Sequence, residues 1–196
     1  MTESEFWAII DISLESIAFD AEVDEQIEAL VDYLINFSKK DLIGFEIHIR
    51  RKLADLYKSE IVELYVIMEN DFSIEDNGQV SFDDYVSSDG FLYFRCWLIL
   101  QGRDLFYDVL QDPETILKYT ININEIWGES LLYATDEAYT REHNNEQESE
   151  IKDEVFKSHP EIDYDCGDFE LDRDPEIDYL QDKYPDLVRE IIRLKK

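Results

Sequence analysis

A chain of 196 residues, 44% hydrophobic and 13% aromatic, carries enough apolar material for one domain, or one domain with an appendage, without a disulfide or metal staple. Its 48 Asp and Glu against 18 Lys and Arg give a formal charge of -30, which repels nucleic-acid phosphate and suits a basic partner, cations or plain solvation. No apolar run reaches the roughly 18 residues needed to span a bilayer, so membrane association is not expected.

The opening residues MTESEFWAII are acidic before they are apolar, the reverse of a secretory leader, so a cytoplasmic, reducing setting is expected. Thr2 and Glu5 form a T-x-x-E capping box, and Phe6, Ile9, Ile10, Leu14 and Ile17 follow at helical spacing. Val23, Ile27, Leu30, Val31 and Leu34 mark one face of a second helix. Ser38 caps a third, with Leu42, Phe45, Ile49, Leu53 and Leu56 inward and the basic cluster HIRRK, His48 to Lys52, on its polar side. SEIVELYVIMEN is apolar on most sides and predicts a buried helix. In FSIEDNGQVSF, Phe72 and Ile74 alternate against Val80 and Phe82 around Asn77-Gly78, which predicts a hairpin. An EF-hand reading of the same stretch fails at its ends, because Ser73 and Asp84 stand where Asp and a bidentate Glu are needed.

A central helix is predicted from Ser88 or Asp89 to Leu100. It breaks at Gly102 and resumes through RDLFYDVLQ to a stop at Asp112-Pro113. A last core helix is predicted through EIWGESLLYATDEAYTREH, with Trp127, Leu131, Ala134 and Ala138 at helical spacing. Beyond it the composition changes: residues 142–186 hold 17 Asp and Glu against four Lys and Arg. PEIDY occurs twice there, at Pro160 and Pro175, and YPDLVREIIRLKK closes the chain as an amphipathic helix. The expected architecture is mostly α: a compact multi-helix domain over 1–142 with at most one short hairpin, and an acidic extension over 143–196 whose final helix docks on it.

Three stretches carry a family resemblance. FWAIID, SDGFLYFRCWLILQGRDLFYDVLQDP and ESLLYATDEAYTRE resemble the bacterial domain-of-unknown-function family 4240, whose central pattern is D-G-F-x-Y-F-R-x-W-L-I-x-Q-G. The resemblance implies a helical fold and brings no activity. The stretch FSIEDNGQV and the enlarged acidic tail depart from the family pattern.

Arg95 is the residue of this motif that demands an explanation. Phe91, Leu92, Leu98 and Ile99 surround it at helical spacing, so its guanidinium is expected to be buried and paired, with Asp89, Glu63, Glu69 or Asp136 as partner. The alternative is a pocket in which Arg95, Gln101 and Arg103 contact a ligand. Cys96 and Cys166 fit no metal or redox spacing, and His48, His143 and His159 lie in separate segments beside no nucleophile. No catalytic residue, cofactor or metal site is therefore assigned. The charge favours a non-enzymatic binding protein: an immunity protein that neutralises a basic toxin, such as a nuclease, through electrostatically steered association. The partner-binding residues assigned on this reading are Asp163, Tyr164, Asp165, Asp168, Phe169, Glu170, Asp172, Asp174, Glu176, Asp178 and Tyr179, which mix carboxylates with aromatic anchors. A small regulatory or ligand-sensing module, or an enzyme, using the Arg95 pocket is the competing reading.

Overall fold

The structure, a computed structural model, describes residues 1–18, 21–143, 150–164 and 171–195. Helix α1, Glu3–Glu15, starts at the capping box: the Glu5 amide donates to Thr2 Oγ1 at 3.3 Å and the Thr2 amide donates to Glu5 Oε2 at 2.6 Å. Its buried Phe6, Trp7, Ile9 and Ile10 pack toward α2, Val23–Leu34, and α3, Lys39–Asp55. Ser38 caps α3, and Leu42, Phe45, Ile49, Leu53 and Leu56 are all fully buried. Helix α4, Ser59–Glu69, is buried from Ile61 to Met68, as expected of a segment apolar all round.

The hairpin pairs β1, Phe72–Ile74, with β2, Val80–Phe82, in the register Phe72↔Phe82 and Ile74↔Val80. Gly78 supplies the positive φ, +87°, that its turn needs. Next, Ser87 caps α5, Ser88–Leu100, which packs against α1, α3 and α4 and holds Phe94 and Trp97 stacked 5.6 Å apart in the core. Gly102, at φ +88°, is the N-cap of α6, Arg103–Gln111. The chain then follows a 3-10 segment, Pro113–Lys118. The fold is mostly α, with this one two-stranded hairpin among the described residues.

Two expectations are corrected. The stretch from Glu125 is not one helix: Trp127 lies outside regular structure and 44% exposed, followed by a 3-10 turn, Glu129–Tyr133, and only then α7, Ala134–His143. The cause is Gly128, whose amide donates to the Tyr93 carbonyl at 3.0 Å as its backbone crosses α5. A Cβ there would come within 2.5 Å of the Trp97 amide nitrogen, so the contact is one of backbone on backbone.

The second correction concerns HIRRK. His48, Arg50 and Lys52 are buried, not on a solvated face. His48 stacks on Phe6, with centroids 5.4 Å apart, and burial lowers its pKa. Arg50 Nε donates to Glu46 Oε1 at 2.8 Å and its Nη1 to Asp163 at 3.4 Å, while Thr135 donates to the other Glu46 oxygen at 3.0 Å. Lys52 reaches Asp55 at 2.9 Å and the Tyr107 hydroxyl at 3.0 Å. Helical spacing put these cations opposite the apolar stripe. Distant elements cover that side: the N-terminus lies over His48, Asp163 reaches Arg50 and the Tyr107 hydroxyl reaches Lys52.

The extension supplies more of the core. Helix α8, Glu150–Ser158, buries Ile151 and Val155 against α3 and α7, and Asp136 Oδ1 accepts the Ile151 amide at 2.7 Å, satisfying one of its free N-terminal donors. After a short α9, Leu180–Lys183, helix α10, Pro185–Leu194, buries Leu187, Val188, Ile191 and Ile192 and packs on α4 and the Pro113–Lys118 segment. At roughly 1.5–3 kcal/mol per fully buried large apolar side chain, α10 alone contributes several kcal/mol before entropy is counted.

Candidate functional site

One buried carboxylate fastens the extension to the core. Glu63, in the middle of the apolar α4, is fully buried. It pairs with Arg173 at 2.9 Å and Lys183 at 2.8 Å, and accepts from the Tyr184 hydroxyl at 2.8 Å and the Glu176 amide at 2.9 Å. Burial pushes its pKa up, but these donors outweigh burial and hold the carboxyl below its ordinary value. Beside it, Asp172 accepts from the Ser59 amide at 3.0 Å and the Ser59 hydroxyl at 2.9 Å.

These contacts sort the assigned partner-binding residues. Asp163 is buried on Arg50, whose guanidinium also lies over the Tyr164 ring at 5.0 Å, so Asp163 is withdrawn from the surface and serves the fold. Asp172 holds the start of α4 while its residue stays exposed. Asp174, Glu176, Asp178 and Tyr179 face solvent, Tyr179 at 64% exposure. Asp165, Asp168, Phe169 and Glu170 lie outside the described residues.

The exposed group does not stand alone. The Val80 amide donates to Gln181 Oε1 at 2.8 Å, and Gln181 Nε2 donates to the Gly78 carbonyl at 3.4 Å, so the hairpin and the extension form one surface. Glu75, Asp76, Asp83 and Asp84 from the hairpin side join Asp178 and Asp182 from the extension, all exposed. Ile74, Tyr85 and Tyr179 are exposed large apolar side chains on the same segments, Tyr85 at 72%. Nearby cations are engaged: Arg173 and Lys183 on Glu63, and Lys195 on the Asn70 carbonyl at 3.1 Å. Sequence reasoning missed the hairpin's share because a contact between positions about a hundred residues apart leaves no local pattern.

Arg95 is buried as expected, at 4% exposure, but the ion pair is not there. None of Asp89, Glu63, Glu69 and Asp136 pairs with it. Its Nη1 donates to the Leu53 carbonyl at 2.8 Å and its Nε to the Phe91 carbonyl at 3.3 Å, while the Tyr57 and Phe91 rings lie 4.9 and 4.7 Å from the guanidinium. Burial pushes its pKa down to about 10. The Leu53 contact satisfies a carbonyl in the last turn of α3, which ties α5 to α3. Arg95 also lines a cavity of about 650 Å³, with Asp84, Asp89, Tyr164, Leu171 and Ile177 among its walls. Gln101 and Arg103 do not join it. Gln101 lines a separate cavity of about 380 Å³ with Trp97 and Tyr119, and Arg103 is exposed.

Cys96 is buried and its thiol pKa pushed up by burial. Among the described residues no group of three or more His, Cys, Asp or Glu is placed to hold a metal ion, and no helix is long and apolar enough to cross a membrane.

These features define a mostly helical protein with a docked acidic extension and two candidate binding features, an acidic-aromatic face and a cavity walled by a buried arginine. Residues 1–141 match the family model described as Protein of unknown function (DUF4240), and the chain belongs to that family. No curated protein and no solved structure matches it. The acidic face thus combines a hairpin inside the matched span with an extension beyond it.

Proposed function

We propose that this protein is a non-enzymatic binding protein that captures a basic protein partner, as a cytoplasmic bacterial immunity protein captures a toxin such as a nuclease. The observation that supports this reading is the shared face of hairpin and extension. Its carboxylates project to solvent, the neighbouring Arg173 and Lys183 are paired with the buried Glu63, and Ile74, Tyr85 and Tyr179 offer apolar contact area among the charges. A field of this sign accelerates encounter with a cationic partner, and the aromatic anchors supply the short-range attraction that holds it.

The reading is tested by affinity capture from the native cell at low salt, followed by growth assays with the captured protein. It requires one strongly basic protein to be retained, to be toxic when expressed alone and to be silenced by co-expression of this chain. Capture of acidic or neutral proteins, or a toxicity that co-expression leaves intact, would overturn it.

A further inference from the structure

We infer that the cavity walled by Arg95 binds a small organic monoanion, a carboxylate carried on an apolar or aromatic body. A guanidinium taken out of water ordinarily keeps an acidic partner, because an unpaired buried charge is costly even after relaxation. Arg95 keeps none among the described residues. Its compensation is two backbone carbonyls and two aromatic faces, and among the described residues Nη2 has no hydrogen-bond partner. If the side chain served only to tie α5 to the end of α3, Nη1 on Leu53 would complete that task, and Arg95 would not need to line a cavity as well.

The space is there. A volume of about 650 Å³ falls in the range of roughly 300–1,000 Å³ typical of small-molecule sites. The walls determine what fits. Val62, Phe91, Leu92, Leu171 and Ile177 present apolar surface, which suits a hydrocarbon or aromatic body. Arg95 is the one cation among the described lining residues, and its planar fork matches a carboxylate. Asp84 and Asp89, both exposed, bring negative charge to the same cavity and disfavour di- and triphosphates. One buried cation, an apolar wall and an acidic edge together select a single negative charge on an apolar body. This inference is independent of the basic-partner reading, because it concerns a small anion inside the cavity and not the surface beside it.

The probe is 3-phenylpropionate, with 3-phenylpropionamide as its uncharged counterpart, titrated calorimetrically into the full chain. The acid is expected to bind at least about tenfold more tightly than the amide, equivalent to about 1.4 kcal/mol. Val86→Trp places a large ring in the cavity wall while keeping Arg95, and is expected to abolish binding with the helical circular-dichroism signal unchanged. Arg95→Met, where it folds, is expected to erase the preference for acid over amide. Equal affinity for acid and amide, binding untouched by Val86→Trp, or no binding of the acid at about 10 mM, tenfold above a weak Kd of about 1 mM, would each overturn the inference.

Discussion

Replacing Glu63 by Ala removes the acceptor on which four donors from the extension converge. The Tyr184 hydroxyl is left in a buried site, at a cost of about 1–3 kcal/mol for an unsatisfied polar group, and the Glu176 amide loses its acceptor for about 1 kcal/mol more. Arg173 and Lys183 keep 31% and 28% side-chain exposure, so they rehydrate in part. The ion pairs therefore cost less than the 3–5 kcal/mol of a fully buried broken pair. With about 1 kcal/mol for these partly exposed pairs, the sum is about 3–5 kcal/mol. For a chain of this size each kcal/mol shifts Tm by roughly 2–4 °C, so Glu63→Ala is expected to lower Tm by about 6–20 °C. Thermal unfolding followed by circular dichroism reads the shift. Limited proteolysis at room temperature should show new cleavage between Asp172 and Tyr184 before the helical core is cut. A Tm within about 2 °C of the parent, less than the loss of one hydrogen bond, with an unchanged digestion pattern, would refute the role given to Glu63.

The same carboxylate makes a pH prediction. Its folded pKa lies below the ordinary 4.5, so its stabilisation is fully present above that value and is lost as pH falls through the folded pKa. The stability gap between the parent and Glu63→Gln should be widest near neutral pH and narrow in acid, as denaturant midpoints at stepped pH will show; a gap that widens in acid contradicts the assignment. Gly128→Ala forces the loop off α5, since the new methyl meets backbone and not a movable side chain, and should cost about 1–3 kcal/mol as an overpacking change. Denaturant unfolding checks it, and a neutral effect would show that the crossing is looser than described. Gly102→Ala should cost about 1–3 kcal/mol for a different reason, its φ of +88°. Unfolding of that variant with no loss would contradict the left-handed cap of α6.

Local chemistry was legible in the sequence and distant chemistry was not. Thr2 with Glu5, Ser38 and Ser87 satisfy amides three residues away, so they mark their helix starts without reference to the rest of the chain. Asn77-Gly78 and Gly102 announce a turn and a break because a side chain at positive φ is strained. The reading failed wherever a second segment decides the outcome. Gly128 has the spacing of a helix residue until the α5 backbone is placed beneath it. His48, Arg50 and Lys52 sit on the polar side of α3 until Met1, Asp163 and Tyr107 arrive. Arg95 was expected to find a carboxylate, and finds the end of α3 and two rings instead. Glu63 did leave a signal: it is a single carboxylate between Ile61 and Met68 in a helix apolar on every side, and such a charge must find partners. The sequence could not say that they come from Arg173 and Lys183.

On the function proposed above, the face built by hairpin and extension steers a basic partner. The most direct test is the association rate between this chain and the captured basic protein, measured by stopped flow from low to high salt. The parent should lose at least about tenfold in rate between roughly 0.05 and 0.5 M salt, as screening shortens the field to a few ångströms. The triple variant Asp76→Asn, Asp178→Asn, Asp182→Asn should start slower and show a shallower slope. A rate indifferent to salt, or a triple variant indistinguishable from the parent, would contradict the claim.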